Sequence, residues 1–265
     1  METNNYETVK CYHCNAEAIS REHVPPLCLF PEAKDVLGMN FRKDLITVPS
    51  CDLHNSRKSH DDEFLMVSVA SIVSNNRLGY VHTKTKIERA LRRKSQDFIN
   101  KAVVRNMRGK VLVASDGKKF PVLIGNPDIT RLTKCFEDIA YGVWYHEHGS
   151  RFKGLIKMVF GFLIHERKDD QTLMKFIKRR FEVDPGLLTV KGSNPEVFTY
   201  QFCKPDNAGS ISLKLTFYQG TDVFIAMLPE GLPVPYNLGV DLINKGIRST
   251  MTLGDEEFEF NNPDQ

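Results

Sequence analysis

The chain has 265 residues, 41% of them hydrophobic and 26% charged. That composition excludes a disordered or fibrous polymer and leaves room for about two domains. No apolar run approaches the ~18–20 residues of a membrane helix, and Met1–Lys10 lacks the basic start and apolar centre of a signal peptide. A soluble, cytoplasmic protein without a membrane partner is therefore expected.

Net charge is only +3, yet 13 of the 36 basic residues and 3 of the 33 acidic ones fall between Arg77 and Lys119. Such a belt in a nearly neutral chain suits a polyanion; a solvated helix surface is the plainer alternative. Six cysteines do not make a disulfide scaffold at this length. Cys28, Cys135 and Cys203 stand alone in apolar surroundings and read as small core residues. Cys11, Cys14 and Cys51 instead share one polar segment.

In chain order, residues 8–58 are rich in Cys, His, Pro and polar groups and cannot assemble much of a core. Apolar spacing predicts a helix over His60–Ser74, with Asp61, Asp62 and Glu63 in its first turn, where the helix dipole favours them. A second, basic helix is predicted over Thr83–Met107. From Gly109 the pattern becomes that of an α+β unit. Strands are predicted at Lys110–Ala114 and Phe120–Ile124 about a Ser-Asp-Gly-Lys turn. A helix follows over Ile129–His148, with Gly149 as its C-terminal cap. A strand at Ile156–Ile164 and a helix at Gln171–Phe181 come next. Three strands at Val197–Cys203, Ile211–Tyr218 and Val223–Leu228, joined by short turns, imply antiparallel pairing. The acidic tail after Leu253 reads as loose. This gives three parts: residues 6–76, a basic helical connector at 77–108, and a C-terminal α+β domain at 109–255 with a mainly antiparallel sheet.

The chemistry concentrates in the first part. Cys11-x-x-Cys14 and Cys51-x-x-His54 form two ligand pairs about forty residues apart. Zinc takes four such ligands in a closed tetrahedron, and its binding would supply folding free energy to a segment without a core. Between the pairs lie Glu22 and His23, whose side chains point to opposite sides of an extended strand. A carboxylate there can hold a divalent ion while the neighbouring imidazole serves as general base. Asn55 directly follows the second pair, and its carboxamide oxygen offers a second ligand for that ion. His13, inside the first turn, is expected to face solvent or a phosphate rather than a metal. Arg21, Arg57 and Lys58 bracket this region and suit a nucleic-acid backbone, as do Arg89, Arg92 and Arg93 in the belt.

The block Lys10–Cys14, Ser20–Pro26 and Val48–Lys58 resembles the HNH endonucleases. The resemblance covers residues 11–65 and implies a zinc-stabilised ββα-metal domain: a hairpin, a helix and one catalytic divalent ion such as Mg²⁺. Glu22-His23 matches the acidic-His pair and Asn55 the last position of the motif. The implied roles are water activation by His23 and metal binding by Glu22 and Asn55, with structural zinc on Cys11, Cys14, Cys51 and His54. Three positions depart from the family pattern. Glu22 replaces the commoner Asp, His54 stands where a cysteine is usual, and Asp44 occupies the middle position in place of Asn.

The resemblance implies hydrolysis of phosphodiester bonds in DNA, leaving 5′-phosphate and 3′-hydroxyl ends. By fold-level analogy it also suggests bacterial defence against foreign DNA, acting as a homo-oligomer or with a defence-system partner. The competing expectation is a zinc-stabilised nucleic-acid-binding or adaptor module without turnover. Such a module would have no use for Glu22, His23 and Asn55 together. His146-Glu147-His148 reads as a helix end, since residues two apart do not share a helix face.

Overall fold

The computed structural model describes residues 9–55, 59–93, 105–113, 116–232 and 238–263. It is an α+β chain in two compact units. One comprises Met1–Phe152, Gly192–Thr199 and Phe217–Thr221; the other comprises Lys153–Lys191, Tyr200–Thr216 and Asp222–Gln265. The first unit includes residues 77–108 and runs on to Phe152.

The first unit opens on an antiparallel hairpin of β1 (Ser20–His23) and β2 (Thr47–Ser50), followed by the short α1 (Asp52–Asn55) and α2 (Ser59–Ala70). Asp61 and Asp62 lie in the first turn of α2, and Phe64, Leu65, Met66 and Val69 along it are buried. The predicted basic helix is instead α3 (Arg77–His82), one π-turn over Thr83–Ile87, and α4 (Glu88–Arg93). Two threonine hydroxyls accompany the irregular turn, Thr83 donating to the Gly79 and Ala70 carbonyls and Thr85 to the Val81 carbonyl. Such side-chain bonds to preceding carbonyls compete with the regular helical ladder.

The expected helix to Met107 does not persist. Residues 94–104 lie outside the described residues, and Arg105–Val113 is a strand, β3, paired antiparallel with β4 (Lys119–Asn126). Gly109 and the valines at 111 and 113 disfavour a helix there and favour the extended state. The predicted hairpin is thus present and begins earlier than its apolar pattern.

α5 (Ile129–His148) has the expected bounds. The Asp128 carboxylate caps it by accepting from the Arg131 N–H at 3.0 Å, and Gly149 ends it at φ 64°. Leu132, Cys135, Phe136, Ile139, Ala140 and Val143 form its buried stripe, and the helix packs on α2 and β2. That burial is why α5 belongs with the N-terminal segment. At the closest approach, a Cβ on Gly142 would lie 2.5 Å from a Val24 methyl, so only glycine lets the helix in. Arg131 crosses the same interface, donating to Asp61 at 2.7 Å with its guanidinium over the Phe64 ring. Tyr218, fully buried, donates its hydroxyl to the Leu29 carbonyl.

The second unit holds most of a five-stranded sheet made from β5 (Gly154–Phe160), β6 (Lys191–Asn194), β7 (Phe198–Phe202), β8 (Ile211–Phe217) and β9 (Thr221–Pro229). The strand order is β5-β9-β8-β7-β6, and β5 runs antiparallel to β9. α6 (Lys168–Val183) sets Phe181 against Phe224 of β9, with ring centroids 5.5 Å apart.

The C-terminal tail is a correction to the sequence reading. After α7 (Leu238–Asn244), β10 (Ser249–Leu253) and β11 (Glu256–Phe260) form an antiparallel hairpin that packs on α6. Phe258 meets Phe176 edge-on at 5.3 Å, Arg179 donates to Glu256 at 2.6 Å, and Phe260 is fully buried. Beyond it the Asn261 side chain donates to the Ile243 and Ile247 carbonyls, both at 3.0 Å. Truncating Phe260 to Ala should therefore cost roughly 3–5 kcal/mol, read as a lower urea midpoint at unchanged slope. A loss below about 1 kcal/mol, the range of ordinary surface changes, would show that the tail is not part of this core.

Candidate metal centre and catalytic site

Two backbone turns build the metal centre. The first folds by a bond from the Cys11 N–H to the Ala16 carbonyl, the second by one from the His54 N–H to the Cys51 carbonyl. The Tyr12 N–H donates to the Pro49 carbonyl at 2.8 Å and ties the turns together. The Cys11, Cys14 and Cys51 sulfurs and a His54 ring nitrogen consequently lie within 4.8 Å of one another.

The spacings fit a tetrahedral ion. Zn–S and Zn–N bonds of about 2.3 and 2.0 Å imply ligand–ligand edges of roughly 3.5–3.8 Å. The Cys14 and Cys51 sulfurs are 3.7 Å apart, and the His54 Nδ1 lies 3.7, 3.6 and 3.2 Å from Cys11, Cys14 and Cys51. At Cys11 burial opposes ionisation, but backbone hydrogen bonds at His13, Cys51 and Cys14 outweigh it and leave the thiol pKa below its ordinary value. At Cys14 burial comes first and raises the pKa. All six cysteines are free of disulfides. The group can hold a metal such as zinc.

His13 is not turned to solvent. Its ring stacks on His54 at 4.2 Å and 20°, lies 4.4 Å from Tyr141, and brings Nε2 to 3.3 Å from the buried Asp138 carboxylate. Asp138 and Tyr141 both belong to α5, so the first metal turn is anchored to a helix more than a hundred residues away. Sequence patterning carried no signal for this pairing.

The hairpin register puts Glu22 opposite Val48 and His23 opposite Thr47. Side chains alternate, so Ser20, Glu22, Val48 and Ser50 share the buried face, and Arg21, His23, Thr47 and Pro49 share the other. Glu22 is only 5% exposed. Near it the Tyr12 phenol is fully buried, and its hydroxyl has no hydrogen-bond partner among the described residues. Burial first, and then the charges of Asp138, Glu22, Cys11 and Asp62, push that phenol well above its usual pKa.

Asn55 comes to the Glu22 side of the hairpin. Its Nδ2 donates to the Ser20 hydroxyl at 2.7 Å, which turns the carboxamide oxygen, the donor a divalent ion needs, the other way. On the opposite face, Arg21 is fixed by bonds to the Thr47 hydroxyl and carbonyl at 3.0 and 2.8 Å, beside half-buried His23. Burial, and then the positive charge of Arg42, hold the His23 imidazole below its ordinary pKa, which favours its neutral form. Arg42, which the sequence did not single out, is held by two bonds to the Phe30 carbonyl at 3.1 and 3.0 Å and lies 3.6 Å from Glu32.

The remaining expected contacts are dispersed. Arg57 and Lys58 lie outside the described residues, as does the side chain of Arg93. Arg89 is engaged elsewhere, with two bonds of 2.7 and 2.6 Å to the buried carboxylate of Asp35. It helps line a cavity of about 410 Å³ with Cys28, Glu32, Lys34, Asp62 and Lys86, a nearly charge-balanced lining. Arg92 is exposed and 3.5 Å from Glu88.

Comparison with family models, with curated proteins and with solved structures finds no match to this chain.

Cys11→Ser should abolish stoichiometric zinc binding and loosen the segment between the two ligand pairs, because the metal would close that long loop at its base. Zinc content and limited proteolysis read this together. A soluble, protease-resistant Cys11→Ser chain holding undiminished zinc would exclude the assignment.

Proposed function

We propose that the chain is a metal-dependent endonuclease of the HNH type acting on DNA. One arrangement carries the reading. A buried carboxylate and an imidazole that favours its neutral form occupy adjacent positions on opposite faces of one short strand, and a carboxamide is anchored to the carboxylate side, all beside a Cys₃His metal centre. A purely structural zinc module needs the last feature and none of the others.

Glu22 and Asn55 would hold a divalent ion, which when bound supplies the positive charge that offsets the charge developing on phosphate and leaving oxygen. The fit rests on the donor set: one anionic and one neutral oxygen donor, the hard ligands that Mg²⁺ prefers. His23 contributes a ring nitrogen that, in the neutral form, accepts a proton from water. That water's oxygen forms the new bond to phosphorus as the bond to the 3′-oxygen breaks, giving 5′-phosphate and 3′-hydroxyl ends as in the family that the motif resembles. Arg21, on the His23 face and bonded among the described residues only to the neutral Thr47 hydroxyl and carbonyl, is the cation available to hold the phosphate in place.

Three variants separate the roles on a supercoiled plasmid. His23→Ala should retain zinc and fold yet cleave about 10²–10⁴-fold more slowly, the loss expected for a positioned general base. Asn55→Ala should recover part of its rate at high Mg²⁺, and Glu22→Ala less, because it loses the charged ligand. Wild-type rates in His23→Ala, or no divalent-dependent cleavage by the intact protein, would leave a binding module as the correct reading.

A further inference from the structure

The β3–β4 ribbon is a second candidate surface, distinct from the metal-bearing hairpin. Residues 105–126 contain Arg105, Arg108, Lys110, Lys118 and Lys119 against the single acid Asp116, a charge of +4 in a chain whose total is +3. This one element thus outweighs the rest of the protein, which is slightly acidic. Every side chain described between positions 108 and 119 is exposed. Lys118 is neutralised by Asp116 at 2.7 Å. Among the described residues, Arg108, Lys110 and Lys119 make no ion pair, in contrast to Arg89 and Arg92 of α4.

The register distributes these charges. Arg108 and Lys110 alternate on one face of β3, opposite Ile124 and Val122, whereas Lys119 lies opposite Val113 on the other face. Cations on both faces do not suit an element laid flat on one surface. They suit a narrow element flanked by anions on two sides. A two-stranded ribbon is about 5 Å between strand axes, and nine residues extend about 30 Å. The major groove of duplex DNA, about 12 Å wide with a phosphate wall on either side, admits such a ribbon. Val111 and Val113, 58% and 62% exposed, add small apolar contacts of the kind that thymine methyl groups accept.

We infer that the β3–β4 ribbon is a groove-binding arm that grips duplex DNA through Arg108, Lys110 and Lys119. The inference rests on the proposed nuclease reading for its partner and adds where and in what form that partner is held.

The test uses the full-length protein with its zinc, without added Mg²⁺, and a fluorescent random-sequence duplex alongside the corresponding single strand. The variant carries R108Q, K110Q and K119Q, with fold and zinc content checked against wild type. Removing three phosphate contacts should lower the salt slope for duplex by about 2.7, so the variant's disadvantage should shrink roughly 40-fold between about 50 and 200 mM salt. The loss should be larger on duplex than on single strand. An unchanged slope overturns the inference, as does an equal loss on both substrates or a wild-type protein that does not bind duplex. A V111S/V113S variant that converts a dimer to a monomer in sedimentation while binding DNA normally would make the ribbon an interface between copies, which also overturns it. Failure of the nuclease reading is separately visible: ribbon-dependent binding would persist with no Mg²⁺-dependent cleavage.

Discussion

The N-terminal half is organised about one convergence, that of Cys11, Cys14, Cys51 and His54 on a common centre able to hold a metal. The strands it joins are four residues each, and an isolated two-stranded hairpin is at best marginally stable in water. Much of the chain between them is turn and short 3₁₀ structure. A tetrahedral ion held there would close this long loop at its base, adding to the burial of Val24, Leu29, Phe30, Val36 and Phe41 within it. It would also set position. Cys51 directly follows β2 and His54 precedes Asn55, so holding the sulfurs and the imidazole places Asn55 against Ser20. His13 extends the hold to Asp138 on α5, coupling the first ligand turn to a helix with a buried apolar stripe.

From that convergence follows the division of labour on β1. Alternation puts Glu22 inward and His23 outward, and adjacent residues thereby meet different environments. An imidazole that is partly buried near Arg42 favours its neutral form. Under the proposed reading, this difference of environment suits a metal ligand at one position and a proton acceptor at the next.

The sequence was legible where the signal was local and periodic. The two ligand pairs were readable from spacing, because each turn is made by four consecutive residues. α5 was readable to its bounds, since its buried stripe, Asp128 cap and Gly149 stop are all local. The tail was misread although its signal was present. Glu256-Glu257-Phe258-Glu259-Phe260 shows apolar alternation of a half-buried strand, but its acidity suggested a solvated end. Asp138 and Arg42 had no local signal at all. Each acts through a residue brought near by tertiary packing, and no window along the chain contains both partners. The long connector failed for a related reason: basic residues at helical spacing continue through 105–108, whereas pairing with β4 decides the conformation there.

That failure bears on how charge patterns should be read. The belt from Arg77 to Lys119 looks uniform along the sequence, yet the fold divides it into cations of different standing. Arg89 is committed to a buried aspartate, Lys86 is half-buried beside Glu32, and Arg92 shares Glu88 with Lys84. A cation already paired within the protein must break that pairing before it can neutralise a phosphate, so its contribution to binding is small. Cations on an exposed ribbon keep their full charge and release counterions when they meet a polyanion. Local charge density along a chain therefore marks a region, and the pairing pattern within it selects the residues. Here that selection moves the expected nucleic-acid contacts away from α4 and onto two strands that the same basic run had disguised in part as helix.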